Sequence, residues 1–288
     1  MMSLFVNQLT HLDVSLWCPD KGLVGASWHL DAELFGELGE DGMLFDFGEV
    51  KPWIKSRIDA GADHTLLVPG KAPGVDISDC PEGMRIRMKT PYPMEVRGPR
   101  QAFTILPCTR IDTDNLAEHL TQSLGRRFPE RVERIVLRLR EEVIDGASYR
   151  YSHGLKRHAG NCQRIAHGHR SRLTIFQNGE RQPHLESHYA AWLDNSYLVS
   201  AEDIVAEGGA RDATLSTAYR SAQGQFHLTL PRERCRVLAS ATTVENIAIW
   251  LTREITRATG VATQLHAFEG IDKGACYEIA PEQLAREA

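Results

Sequence analysis

No cysteine in this chain stands in a CxxC pair. The six thiols, Cys18, Cys80, Cys108, Cys162, Cys235 and Cys276, are scattered over 288 residues. That spacing excludes a zinc ribbon and gives no disulfide framework, so it predicts free thiols in a reducing compartment. Positive charge is not in surplus either. Lys and Arg number 33 against 38 Asp and Glu, a net charge of −5, which lacks the basic footprint of a nucleic-acid binder. A small anionic substrate has to be drawn in by a local cluster of Arg and Lys instead. No window approaches the roughly 20 apolar residues of a membrane span. The opening MMSLFVNQLTHLD lacks a basic start followed by a long apolar run. The expectation is a soluble, cytoplasmic protein with neither nucleic acid nor membrane as partner. An apolar share of 42% and a charged share of 25% are ordinary for a globular protein, and the length suits two domains or one large one.

Histidine is concentrated in one place. The segment Ser148–Phe176 holds His153, His158, His167 and His169, together with Cys162. His167 and His169 are separated only by Gly168, and in an extended strand residues two apart point to the same face. Gly168 puts no bulk between them. His153 lies in YRYSHGL, which reads as a second strand. If the two strands pair, three imidazoles converge, and three histidines with an open fourth position suit a catalytic zinc. Cys162 falls in the intervening loop, placed to serve a substrate rather than the metal, with polar neighbours Asn161, Gln163 and Arg164. His158, between Arg157 and Ala159, is a rival ligand in what reads as a solvated loop.

Along the chain, residues 4–17 and 26–35 read as strands around a turn at Cys18–Gly22. Val50, Trp53, Ile54 and Ile58 share a helical face, predicting a helix over 48–60 that ends at Gly61. Asp63 and His64 follow directly. The Pro- and Gly-rich region 68–103 reads as a loop with one short strand near Met84–Met88. A helix is predicted over 112–125, capped by Asp112 or Thr113, then a strand over 132–142 with Ile135, Leu137 and Leu139 on one face.

This ending recurs. Thr243-Val244-Glu245-Asn246-Ile247-Ala248 opens a helix as Asp112-Thr113-Asp114-Asn115-Leu116-Ala117 does. A strand over 262–269 then leads to Glu269 and Tyr277, as the earlier one leads to Glu141 and Tyr149. The match implies an internal duplication with a period of about 130 residues, too long for a solenoid. Two domains follow, 1–146 and 147–288. They are not equivalent. The first has Asp63-His64 but no HxH. The second has His153, Cys162, His167 and His169 but no Asp-His pair after a long helix; its nearest candidate is Asp194-Asn195. Each half looks like one part of a site.

These residues resemble the 6-pyruvoyltetrahydropterin synthase and 6-carboxytetrahydropterin synthase family. The resemblance rests on His153, Cys162 and His167-Gly168-His169, on Gly42-Met43-Leu44-Phe45-Asp46-Phe47 with Asp63-His64, and on the two Asn-containing helix openings with their late glutamates. It covers most of the chain as two degenerate copies. It implies an α+β tunnelling fold (T-fold): two tandem units, each an antiparallel four-stranded sheet with two helices on one face, joined edge to edge in a homo-oligomer with sites between units. It further implies dihydroneopterin triphosphate as substrate and a pyruvoyl or carboxy tetrahydropterin as product. Zinc would be held by His153, His167 and His169, Cys162 would take a proton as thiolate, and His64, oriented by Asp63, would shuttle it. Glu269 or Glu141 would accept the paired N–H donors of the pterin ring. Two other readings stay open: a different activity on a related pterin, and a non-catalytic pterin binder whose structural zinc takes Cys162 as fourth ligand.

Overall fold

A computed structural model describes residues 2–125, 131–207 and 213–286. The fold is mixed α+β. The first half runs β1 (Met2–Cys18), β2 (Gly22–Gly36), α1 (Phe47–Ala60), β3 (Leu66–Pro69), β4 (Val75–Cys80), β5 (Gly83–Met88), β6 (Met94–Gly98), β7 (Phe103–Leu106), α2 (Thr113–Ser123) and β8 (Val132–Arg140). The second runs β9 (Ser148–His153), β10 (His167–Gln177), the two-residue β11 (Glu180–Arg181), α3 (Pro183–Leu193), β12 (Ser196–Ser200), β13 (Ile204–Glu207), β14 (Thr214–Ser221) and β15 (Gly224–Pro231). It ends with β16 (Cys235–Leu238), α4 (Val244–Thr259), β17 (Thr263–Phe268), β18 (Gly274–Ile279) and α5 (Pro281–Arg286).

Local chemistry sets the helix ends. Asp46 caps α1 by accepting from Gly48 N–H at 2.7 Å, and Val50, Ile54 and Ile58 are buried. Asp112 and Asn115 form a reciprocal capping box on α2. Thr243 caps α4, which ends at Gly260 in the left-handed region at φ +68°. Asn115 and Asn246 each donate a side-chain N–H, at 2.9 Å, to the carbonyl five residues before them. The matched helix openings therefore share a hydrogen bond as well as a spelling.

Three sheets result. One has the order β7-β3-β1-β2-β8 and another β16-β12-β9-β10-β17-β18, with β11 added on β10. The shared part of the order is the same, and so is its sense: central pairs antiparallel, outer pairs β1–β3–β7 and β9–β12–β16 parallel. The third sheet, β13-β14-β15-β6-β5-β4, takes three strands from each half and joins them through antiparallel β6 and β15, with Val96 opposite Leu228. Each of the first two sheets covers its own apolar cluster, Leu30, Ile54 and Leu116 in one and Ile175, Leu251 and Ile255 in the other. A third cluster lies at the join and draws on both halves, from Trp17 and Ile86 to Tyr197 and Phe226.

Three expectations need correction. The sheets are not four-stranded and purely antiparallel: they hold five to seven strands, and the two sheets built on the hairpins have parallel pairs at one side. The region 68–103 is not a loop with one strand but contains the β4-β5-β6 meander and β7, its Gly and Pro residues marking the turns between short strands. The second half also has a helix, α3, between β11 and β12, where the sequence pattern marks none. Its inward position Glu186 is buried, accepting from Ile175 N–H at 3.0 Å and pairing with Arg181 at 2.8 Å. A glutamate where an aliphatic residue is expected hides the helical stripe.

The halves meet where the β1–β2 hairpin crosses the β9–β10 hairpin. A Cβ added at Gly25 would lie 2.0 Å from Tyr151 O and 2.6 Å from His169 O. One added at Gly168 would lie 2.8 Å from Gly25 Cα. Ser15 and Ser152 hydrogen-bond across the crossing at 2.6 Å, and Arg170 N–H donates to Ser27 Oγ at 3.1 Å. Gly168 thus does more than separate two histidines: it lets two backbones touch.

Candidate metal centre

β9 and β10 pair antiparallel with His153 opposite His167. Tyr151 and His153 on one strand and His167 and His169 on the other share a face, and all three imidazoles are buried. One nitrogen from each lies within 4.8 Å of the others. Ring centroids are 4.3 Å apart for His153–His167, 5.3 Å for His153–His169 and 5.5 Å for His167–His169.

The tautomers can be read from the outer partners. His153 Nδ1 faces the carbonyl of Thr242 at 2.9 Å, and His167 Nδ1 faces the carbonyl of Arg164 at 3.1 Å. A carbonyl only accepts, so Nδ1 carries the proton in both rings and the Nε2 lone pair is left over. The Nε2 atoms of His153, His167 and His169 are all buried without a hydrogen-bond partner. Three orphaned lone pairs converging on one point fit a cation. Burial, reinforced by the neighbouring imidazoles, holds His153 and His167 well below their ordinary value, so both are neutral as metal ligation requires.

The first half supplies the Asp-His pair of the site. Asp63 and His64 sit in the turn between α1 and β3, with His64 in the left-handed region at φ 57°. His64 Nδ1 lies 2.6 Å from Asp63 Oδ2, and its ring centroid is 5.3 Å from His167 and 6.4 Å from His169. The Cys162 thiol stands near the same ring and helps to raise its pKa. Cys162 lies in a short 3-10 turn, Asn161–Gln163, tied down by Leu155 N–H donating to its carbonyl at 2.9 Å. His158, the rival ligand, instead accepts from Gly160 N–H at 2.9 Å and stays outside the group. Lys273, between β17 and β18, stands near the same centre. Burial pulls its pKa down, but the charges of Asp13, Glu269, Cys162 and Asp63 outweigh this and raise it.

The two candidate anchoring glutamates differ. Glu141 is 42% exposed, and its two oxygens face Arg150 at 2.8 Å and Arg170 at 3.4 Å. Glu269 is 22% exposed and contacts Lys273 at 3.8 Å.

Sequence reading missed Asp13, Ser27, Thr242 and Lys273. The one available signal was Asp13 itself, a carboxylate inside the apolar strand LDVSLW.

The Asp63–His64–Cys162 cluster carries a pH signature in metal-free protein. Burial depresses His64, but hydrogen bonds to Asp63 and Cys162 and their charges outweigh it, raising the group from 6.5 to about 10. A raised folded-state value stabilises the fold fully below the unfolded value and is lost as pH climbs through the folded one. The stability gap between wild type and His64→Gln, measured by urea denaturation in chelator, is therefore expected to shrink steadily from about pH 6.5 to about pH 10. A gap that stays level over that window excludes the charged imidazolium.

No curated protein matches the chain. Among solved structures it is similar to the 6-pyruvoyl tetrahydropterin synthase of Plasmodium vivax, at 18% identity over 43% of this chain and 77% of that one, with a TM-score of 0.36. The Plasmodium falciparum enzyme of the same name matches at 16% identity over the same shares, with a TM-score of 0.36. The family model described as 6-pyruvoyl tetrahydropterin synthase matches residues 16–151, a stretch that holds Asp63, His64 and Glu141 and stops two residues before His153. Among the described residues no helix is long and apolar enough to cross a membrane. By that match residues 16–151 are similar to the 6-pyruvoyl tetrahydropterin synthase family.

Proposed function

We propose that this protein is a zinc-dependent pterin synthase, a lyase that converts 7,8-dihydroneopterin triphosphate to 6-carboxy- or 6-pyruvoyl-tetrahydropterin. The observation that carries the reading is the convergence of three buried, orphaned imidazole nitrogens beside Cys162, with His64 brought to the same place from the other half. His153, His167 and His169 hold the ion, which when bound supplies Lewis acidity to the oxygens of the substrate side chain. Cys162 lies outside the three-histidine group, which favours an open fourth position and a thiol free for chemistry over a closed structural site. Cys162 takes a proton from a side-chain carbon. His64, steadied by Asp63, relays that proton to the next carbon or to the departing group. Glu269 accepts the pterin N–H pair in preference to Glu141, whose oxygens are already engaged by two arginines.

The same reading takes the chain as two tandem T-fold units, 1–146 and 147–288. It is supported by the shared strand order and by the matched Asn115 and Asn246 caps. We further place the protein in a cytoplasmic homo-oligomer, since β8 and β18 each have only one partner strand among the described residues and an unpaired edge invites another copy.

The test is turnover. Purified protein with zinc and dihydroneopterin triphosphate is expected to release triphosphate and form a tetrahydropterin, followed by chromatography. Cys162→Ala and His64→Ala should each lower kcat by about 100- to 10,000-fold, the usual size of a lost acid–base group. Absence of any pterin product with zinc-loaded wild type rejects the reaction.

A further inference from the structure

The three ligand histidines have unequal supports. His153 and His167 are each held at Nδ1 by a backbone carbonyl from the second half, those of Thr242 and Arg164. His169 Nδ1 instead lies 3.2 Å from Asp13 Oδ1, a charge contact outside hydrogen-bond geometry. Asp13 sits on β1 in the first half and is 4% exposed. Among the Nδ1 partners of the three rings it alone carries a charge and comes from the other half.

Asp13 is held firmly. Ser27, opposite it on β2, donates to Oδ1 at 2.5 Å, and Lys273 Nζ stands 3.6 Å from Oδ2. Its backbone is engaged as well: its N–H donates to Asp63 Oδ1 at 3.0 Å, and its carbonyl accepts from His64 N–H at 2.8 Å. One residue therefore touches a metal-ligand candidate through its side chain and the Asp-His pair through its main chain. Burying a carboxylate is costly unless opposite charge and donors compensate. An apolar residue in the same strand position would carry no such cost, so stability alone does not account for Asp13.

We propose that Asp13 is a positioning residue of the metal centre. Its carboxylate fixes the Nδ1–H tautomer of His169 and turns Nε2 toward the ion, while its peptide groups set the distance from that ion to His64. A carboxylate behind a ligating imidazole raises the ligand's basicity, and losing such a partner typically weakens metal binding 10- to 100-fold. The inference rests on the metal reading above, and its test separates the two.

Asp13→Asn preserves size, the Ser27 contact and the main-chain bonds, and removes only the charge. Zinc affinity is measured by competition with a chromophoric chelator, and ligand geometry by the visible spectrum of the cobalt-substituted protein. Asp13→Asn is expected to bind zinc about 10- to 100-fold more weakly than wild type and to shift the cobalt d–d bands. Ser27→Ala, which frees the carboxylate to swing, should give a smaller loss in the same direction. Unchanged affinity and an unchanged cobalt spectrum in Asp13→Asn, with wild type binding tightly, overturn the positioning role and leave the metal site standing. A wild type that binds neither ion overturns both. Should Asp13→Asn fail to fold, a loss of zinc affinity with shifted cobalt bands in Ser27→Ala sustains the proposal, and wild-type affinity there defeats it.

Discussion

Gly25→Ala is expected to destabilise the metal-free protein by on the order of 4 kcal/mol or more, at the far end of what single substitutions do. The added methyl group meets Tyr151 O at 2.0 Å, His169 O at 2.6 Å and His169 N at 2.7 Å. All three are main-chain atoms held in the β9–β10 ladder, so no side-chain rotation relieves the contact. The hairpins must move apart, and with them goes the register between His64 and the imidazoles. Urea denaturation measures the loss. Gly48→Ala, at the start of α1 where the nearest atom is 3.2 Å away, is the control and should stay within about 1 kcal/mol of wild type. If Gly25→Ala unfolds with the control, the hairpins do not touch at this point.

The second large effect concerns the ligands. Wild-type protein should gain stability on adding zinc, by roughly 2.7 kcal/mol at a free concentration 100 times the dissociation constant. His167→Ala should lose that gain and bind zinc at least roughly 100-fold more weakly, beyond the range typical of an outer partner. His158→Ala, whose ring accepts from Gly160 outside the group, should keep both. Thermal unfolding with and without zinc reads the first effect, and chelator competition the second. A zinc-dependent rise in Tm that survives His167→Ala places the ion elsewhere.

The legible parts of this chain were those whose partners are close in sequence. His153, His167 and His169 could be aligned because strand alternation and one hairpin bring them together, and Asp63-His64 because it follows a capped helix. The sheets were readable as paired strands but not in their width, since β3 and β7 join β1 through parallel pairings that no turn announces. The helix α3 was hidden by Glu186, a charge at its inward position. Asp13 was hidden by distance: it meets Ser27, Asp63, His169 and Lys273, and only the folded crossing makes them neighbours. Two glutamates with similar sequence settings were separated only by their surroundings, Glu141 being taken up by arginines.

The strand pair β6–β15 has an effect on concentration dependence. It stitches the two halves of one chain into a common sheet, so the Asp-His pair meets the thiol and the imidazoles within a single polypeptide. Their encounter is governed by tethering, whose effective concentration for short links is millimolar. If copies assemble as proposed, dilution that separates them is expected to leave this pocket intact, and a defective copy is not expected to poison it by co-assembly.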